Sequence, residues 1–372
     1  MLCAILLPQI SLGQQTINGT ILHDGLQREY ILYIPDSYSP NESTPLLFNF
    51  HGYQSNAFEQ MNYGDFRPIA DTANFLIVHP MGTVDALGNT HWNVGWGTST
   101  TDDLGFASAL IDSLVIDYNI DTDRIYSTGM SNGGFMSYLL ACELSNRIAA
   151  IASVTGSMNV GQFESCSCEH PMAIMEIHGT IDASVPYYGS YLFEPIEDVV
   201  NYWVEFNNCD IDPQVTDMPD IDPTDGSTVK HYLYSGGDQG IEVEHYKVIN
   251  GTHTWPGSQY DIGGTNYDIN ASTEVWKFLS KYDINGLINE TALNKIKKPK
   301  LSVIISPNPC YSSVSIDGNF SYPVEYQIIS TLGKIFQRGV LLSNHQSLYL
   351  TALPPDIYFI KIGDSAYRVL KL

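Results

Sequence analysis

Gly129-Met130-Ser131-Asn132-Gly133-Gly134 stands between a strand-like run, Arg124 to Thr128, and a helix-like run, Phe135 to Leu144. A serine carried on so sharp a turn needs neighbours without side chains, because a Cβ at a flanking position would strike the strand or the helix that cross there. Gly129 and Gly133 supply that room, and the spacing is that of the G-x-S-x-G nucleophile elbow in its strand–turn–helix setting.

A serine hydroxyl is a weak nucleophile near neutral pH. It needs a histidine base, and that histidine needs a carboxylate to fix its tautomer and stabilise the imidazolium. With this elbow the partners follow in the order Ser, acid, His. Ala173 to Asp182 is an apolar strand opening into a polar turn, which puts Asp182 at the carboxyl end of the strand, where the acid belongs. Glu242 to Val248 reads as a further strand, followed by Asn250-Gly251-Thr252 and His253-Thr254-Trp255-Pro256-Gly257, so His253 is the candidate base. A developing oxyanion needs preorganised N–H donors. One falls to Asn132, directly after the serine; the other falls to Tyr53, in the turn His51-Gly52-Tyr53 that follows the strand Pro45 to Phe50. His51 reads as a residue that holds this loop.

His178 precedes a turn and reads as a structural hydrogen-bonding residue; His170, His231 and His245 sit in a loop or in strands without a partner motif. The histidines show neither H-x-x-x-H nor H-E-x-x-H spacing, so no metal site is expected. Asp102-Asp103 has the look of a paired-carboxylate acid/base site, but it opens a helical pattern, Leu104 to Val115, and reads as an N-cap with dipole compensation. Trp92, Trp96 and Trp255 flank the catalytic loops and are candidate binding walls for a ring-shaped or polymeric ligand, with loop packing as the competing reading.

Strand-like and helix-like runs alternate from Tyr30 to Tyr282, as in a mainly parallel sheet wrapped by helices, with Ser272 to Tyr282 as the closing helix. Asp283 to Lys300 is polar and carries four clustered lysines, the texture of a linker. From Leu301 short alternating strands (LSVIISPNP, SVSIDG, YQIIST, LYLT, IYFIKI, AYRVLKL) predict a small all-β sandwich. The domains expected are therefore 14–282, a linker 283–300, and 301–372.

Several blocks resemble, in order, the polyhydroxybutyrate depolymerase and feruloyl esterase group of secreted α/β-hydrolases: LLFNFHGYQSN (46–56), IADTANFLIVHPMG (69–82), DDLGF (102–106), residues 121–156 around Ser131, HGTIDASVPY (178–187) and HTWPG (253–257). The resemblance spans about 18–282. It departs where FNFHG replaces the commoner LxLHG and where Thr101 stands before Asp102-Asp103. It implies an α/β-hydrolase fold and a serine carboxylesterase with Ser131, Asp182 and His253 as triad, without a cofactor. A feruloyl or acetyl ester on polysaccharide is the leading substrate, a polyhydroxybutyrate or other polyester the alternative, and a non-catalytic polysaccharide-binding relative a third possibility of a different class.

The formal net charge is −24, unevenly held: residues 1–282 carry 8 basic and 35 acidic residues, residues 283–372 carry 9 and 6. Such a surface repels nucleic acid and anionic membranes and suits neutral substrates. The D-x-D spacings of 210–225 lack the register and terminal glutamate of an EF-hand and are broken by prolines, so they read as a solvated loop. Residues 1–13 form a short apolar run ending in small residues, like the core and cleavage site of a secretory signal without its basic start. No segment reads as a membrane span. Past that leader five cysteines remain, Cys142, Cys166, Cys168, Cys209 and Cys310, an odd number; Cys209 with Cys168 or Cys166 is the pairing expected.

In the C-terminal part, SPNP (306–309), LGK (332–334), Gly339, LPPDIY (353–358) and the basic strand 367–372 resemble the sorting domain of the type IX secretion system. Asp356 stands where that family usually has glycine. The resemblance implies export or cell-surface attachment through residues 301–372, with a carbohydrate-binding module as the competing reading.

Overall fold

The computed structural model describes residues 14–288, 303–318, 324–330, 334–341, 343, 345–362 and 365–372. The expected leader, most of the linker and Leu332-Gly333 lie outside these. The chain forms two compact units, Met1–Ile288 and Asn289–Leu372.

In the first unit ten strands build one sheet: β1 (Gln15–His23), β2 (Leu26–Ile34), β3 (Thr44–Phe50), β4 (Leu76–Pro80), β5 (Ile120–Met130), β6 (Ala150–Val154), β7 (Ala173–Gly179), β8 (Gln214–Asp217), β9 (Thr228–Tyr234) and β10 (Val243–Ile249). Their order is β1-β2-β4-β3-β5-β6-β7-β10-β9-β8. The six central strands from β4 to β10 run parallel, and antiparallel hairpins extend both edges. Parallel strands are buried on both faces: every residue of β3, β4, β6 and β7 is buried. Successive side chains point to opposite faces, so Leu46, Phe48 and Phe50 join one core while Leu47 joins the other.

Among the described residues seven α-helices cover these faces: α1 (Ala57–Tyr63), α2 (Arg67–Ala73), α3 (Asp103–Asp117), α4 (Asn132–Glu143), α5 (Val160–Ser165), α6 (Ile196–Phe206) and α7 (Ala271–Leu279). α6 buries Ile196, Val199, Val200, Trp203 and Val204, the stripe of a helix lying on a sheet. Asn56, Asp102, Asn159 and Asn270 cap α1, α3, α5 and α7 through side-chain bonds to the first-turn N–H groups. Asp102 is thus the cap expected of it. Asp103 does something else: it is buried and accepts from Arg28 at 2.6 Å and from the Asn93 N–H at 2.7 Å, tying α3 to β2 and to the loop before the helix.

The closing helix ends at Leu279, and the unit runs on to Ile288. Tyr282–Asp283 pairs with Gly286–Leu287, and the Ile284 N–H donates to the Asp123 carbonyl, so the first residues of the expected linker are stitched to the sheet.

The second unit is all-β, with strands β11 (Val303–Ser306), β12 (Ser313–Gly318), β13 (Val324–Ser330), β14 (Ile335–Leu341), β15 (His345–Tyr349), β16 (Asp356–Ile362) and β17 (Ser365–Lys371). Two antiparallel sheets, β11-β12-β15 and β14-β13-β16-β17, enclose a shared core that includes Val314, Ile316, Ile328, Leu348, Ile360 and Val369. β14 escaped the sequence reading because its apolar residues are largely exposed and Arg338-Gly339 interrupts their alternation. Among the described residues no helix is long and apolar enough to cross a membrane.

The cysteine expectation is corrected. Cys142, near the end of α4, pairs with Cys166, the C-cap of α5, across a Cα separation of 4.9 Å. Cys209 is buried with its thiol 3.6 Å from the Ile241 carbonyl, and Cys168 donates to the His170 carbonyl at 3.0 Å. Helix packing, invisible in sequence spacing, chose the partner.

Among the cysteines of the described residues, alkylation of the unfolded, unreduced chain is expected to label Cys168, Cys209 and Cys310 and to spare Cys142 and Cys166 until reductant is added, which peptide mass mapping reads directly. Asp103→Asn leaves the Arg28 guanidinium without its buried partner and is expected to cost about 3–5 kcal/mol, measured by denaturant unfolding.

Candidate active site

Near the carboxyl ends of the parallel strands Phe50 pairs with Gly129, Met130 with Val154, Val154 with Ile177 and Gly179 with Val248, and the loops that follow share one edge. Ser131 sits between β5 and α4 at φ 54°, ψ −120°, with its N–H donating to the Val154 carbonyl at 2.8 Å. A non-glycine residue is held in such a conformation only when its surroundings over-determine it. A Cβ on Gly133 would lie 2.2 Å from the Phe50 carbonyl oxygen, and one on Gly129 would lie 2.6 Å from the Gly133 backbone.

A second close approach brings the other two candidates together. A Cβ on Gly179 would lie 2.3 Å from the Gly251 carbonyl oxygen. The Ile181 N–H donates to that same oxygen and the Asn250 N–H to the Thr180 hydroxyl. With β7 and β10 joined at their ends in this way, His253 Nδ1 lies 2.7 Å from Asp182 Oδ2. Asp182 Oδ1 accepts from the Ser184 and Val185 N–H groups. Burial pulls its pKa upward, but hydrogen bonds from His178 and His253 outweigh that and hold the carboxyl well below the usual carboxylate range.

Ser131 and His253 both line a pocket of about 490 Å³, together with Gly52 and Tyr53. Its wall is aromatic and aliphatic, from Phe58, Tyr63, Met130, Tyr260 and Ile262, with Ser55, Glu59, Gln60 and Asn62 as polar members. Phe58 and Ile262 are each 63% exposed, an apolar rim facing water.

The loop at the pocket floor is fixed by His51. The Gly82 N–H donates to His51 Nε2 at 3.0 Å, so the ring hydrogen is on Nδ1 and goes to the Gly52 carbonyl at 2.7 Å. Burial pushes this histidine down to about 4, so it stays neutral. The Ser55 N–H shares the same carbonyl. Across a trans peptide the N–H points opposite to the C=O, so Tyr53 N–H is turned away from these bonds. Asn132 opens α4, where N–H groups of the first turn have no intrahelical acceptor. Its side chain bonds both the N–H and the carbonyl of Trp92.

The tryptophans do not line this pocket. Trp92 and Trp255 are buried to 0% and 1% exposure; Trp92 Nε1 donates to the His51 carbonyl, and Trp255 Nε1 to Ser272. Both stand behind the loops, and the Trp255 backbone N–H donates to the hydroxyl of Tyr63, a pocket residue. Trp96 is half-buried among Tyr53, Phe135 and Phe193. The tyrosine and aliphatic walls went unnoticed in the sequence because Phe58, Tyr260 and Ile262 lie in no motif.

Among the other histidines, His170 bridges the Pro171 and Ser145 carbonyls, His231 contacts Glu244, and His245 contacts the Tyr187 hydroxyl. Among the described residues no group of three or more His, Cys, Asp or Glu side chains is arranged to hold a metal ion. In the acidic loop, Asp222 and Asp225 accept from nearby N–H and hydroxyl groups.

Residues 28–185 match the family described as Esterase PHB depolymerase. The chain is 28% identical over 276 residues to a bifunctional acetylxylan esterase/xylanase of Neocallimastix patriciarum, covering 74% of this chain and 36% of that protein, so it spans about a third of that relative's length. It is 28% identical over 256 residues to feruloyl esterase C of Emericella nidulans, covering 67% of this chain and 87% of that one. An acetyl xylan esterase structure from Aspergillus awamori matches with a TM-score of 0.52 at 12% identity, over 72% of this chain and 99% of that chain, a likeness of fold. Residues 28–185, which contain Ser131 and Asp182, are therefore similar to an Esterase PHB depolymerase domain, and the fold around them is an α/β-hydrolase fold.

Proposed function

We propose that this chain is a secreted serine carboxylesterase that cleaves aromatic acyl esters, of the feruloyl kind, from polysaccharide. The observation that carries this reading is the apolar, aromatic-walled pocket of about 490 Å³ that opens on Ser131 and His253. An acetyl group would leave most of such a space wet, whereas a planar aromatic acid buries its rings against Phe58, Tyr63 and Tyr260. The feruloyl and acetylxylan esterases among the relatives support a polysaccharide ester as substrate.

In this reading His253 Nε2 takes the Ser131 proton as Oγ attacks the ester carbonyl. Asp182, kept ionised, orients the His253 ring through Nδ1 and stabilises the imidazolium. The oxyanion is met by the N–H groups of Asn132 and Tyr53. The tetrahedral intermediate expels the alcohol, which receives the proton from His253, and leaves an acyl-enzyme. Water, deprotonated by His253, then releases the acid and restores the serine.

Residues 301–372 are read as a type IX sorting domain on the strength of their SPNP, LPPDIY and C-terminal basic blocks. Their exposed Tyr311 and Tyr349 are the features that a carbohydrate-binding role would use instead.

Purified full-length chain and its Ser131→Ala variant, assayed on methyl ferulate, acetylated xylan and a polyhydroxybutyrate suspension, are expected to show ferulate release by the wild type alone. Serine-dependent release of acetate without ferulate, or polymer clearing alone, would overturn the aromatic assignment; turnover that survives Ser131→Ala would overturn the mechanism. In a bacterium with a type IX secretion system, the full chain is expected at the cell surface or in the medium, and a chain ending at Ile288 in the periplasm. Equal export of both would overturn the sorting role.

A further inference from the structure

Asp182 is gripped by more than the histidine it faces. The Oδ2 atom that meets His253 Nδ1 also lies 3.3 Å from Nε2 of His178, which is fully buried. His178 Nε2 has the Val185 carbonyl at 2.9 Å as well. A carbonyl can only accept, so Nε2 carries a hydrogen. His178 Nδ1 lies 2.9 Å from Glu176 Oε1, and the Tyr138 hydroxyl donates to Glu176 Oε2 at 2.9 Å. One proton is then left to place, on Glu176 Oε1 or on His178 Nδ1. The Asp182 carboxylate on the far side of the ring favours it on the imidazole.

We infer that His178 is a positioning residue for the candidate triad: a buried imidazolium clamped between Glu176 and Asp182 that fixes the Asp182 carboxylate and places a second positive charge beside the one His253 acquires in the reaction. This rests on the reading of Ser131, Asp182 and His253 given above. Burial works against the charge on His178, but the bonds to Asp182 and Glu176 overcome it and raise its pKa to about 9. Burial alone raises Glu176, which its hydrogen-bond donors counter.

The groups around the ring come from four places. Tyr138 is on α4, Glu176 on the same strand, and Asp182 and Tyr187 in the following loop. β10 contributes His245 and Lys247. His245 lies 3.1 Å from the Glu176 carbonyl through Nδ1 and 2.9 Å from the Tyr187 hydroxyl through Nε2, and burial lowers it to about 4, so it is neutral. The Lys247 ammonium is taken by Glu197 at 2.8 Å. His178 is left as the cation of this group that faces Asp182.

The experiment is the pH profile of kcat/KM for full-length wild type, Glu176→Gln and His178→Gln. A glutamine at 176 can donate to Nδ1, so it keeps the shape and removes the charge on the imidazole. Both variants are expected to move the acid limb up by about one pH unit, with kcat falling more than KM changes. Limbs that superimpose on wild type overturn the inference while serine-dependent turnover keeps the triad reading; turnover that survives Ser131→Ala overturns the triad reading itself. Should the variants not fold, 15N NMR of the wild-type His178 ring decides. Both nitrogens are expected to be protonated at about pH 8, where an ordinary histidine is neutral, and a bare nitrogen overturns the inference.

Discussion

The site depends on backbone elements approaching closer than any side chain allows. At one contact the Gly133 Cα faces the Phe50 carbonyl; at the other Gly179 faces Gly251. The first fixes the direction of the Ser131 side chain and sets the β3 loop, with Gly52 and Tyr53, beside it. The second joins the ends of β7 and β10 so that Asp182 and His253 meet. Each contact is made of backbone packed against backbone and offers no slack: a Cβ would need the strand ends to part by about an ångström, since real Cβ atoms essentially never come within 3.0 Å of such a neighbour. Interiors packed to this density transmit such a shift rather than absorb it.

Backbone rigidity of this kind also explains which parts of the protein were legible in its sequence. The glycines, the order of Ser131, Asp182 and His253, and the apolar runs of β3, β5, β7 and β10 are local signals, and they located these four strands of the sheet to within a few residues. What escaped was decided by packing between distant segments. Cys142 found Cys166 because α4 and α5 are neighbours in space. Trp92 and Trp255 look, in one dimension, like binding residues beside catalytic loops, yet each is the buried support of a loop whose exposed face is built by others. An aromatic residue near a motif marks the loop, but not the side of the loop on which it lies.

Support and contact are divided in the same way throughout the first unit. Trp255 holds the hydroxyl of Tyr63, Trp92 is held by Asn132 and holds the His51 carbonyl, and Asp103 anchors Asn93 to Arg28. The groups that face the pocket are therefore backed by bonds that do not involve it. Such preorganisation is what an oxyanion site requires, because donors already aimed cost no reorganisation when charge develops.

The buried Glu176 and His178 pair fits this pattern but makes a harder demand, since desolvating two charges gains little stability over an apolar pair of the same volume. Apolar side chains at 176 and 178 would avoid that desolvation but would leave the Tyr138 hydroxyl and the Val185 carbonyl without these partners. They would also leave Asp182 Oδ2 with His253 as its sole side-chain donor, while Oδ1 keeps its backbone donors from Ser184 and Val185. With His178 on its other side, Asp182 Oδ2 is held from two directions, by His178 Nε2 at 3.3 Å and His253 Nδ1 at 2.7 Å. On the reading proposed for Ser131, Asp182 and His253, a buried charge pair that contributes little to folding is accounted for by the two-sided hold it gives Asp182.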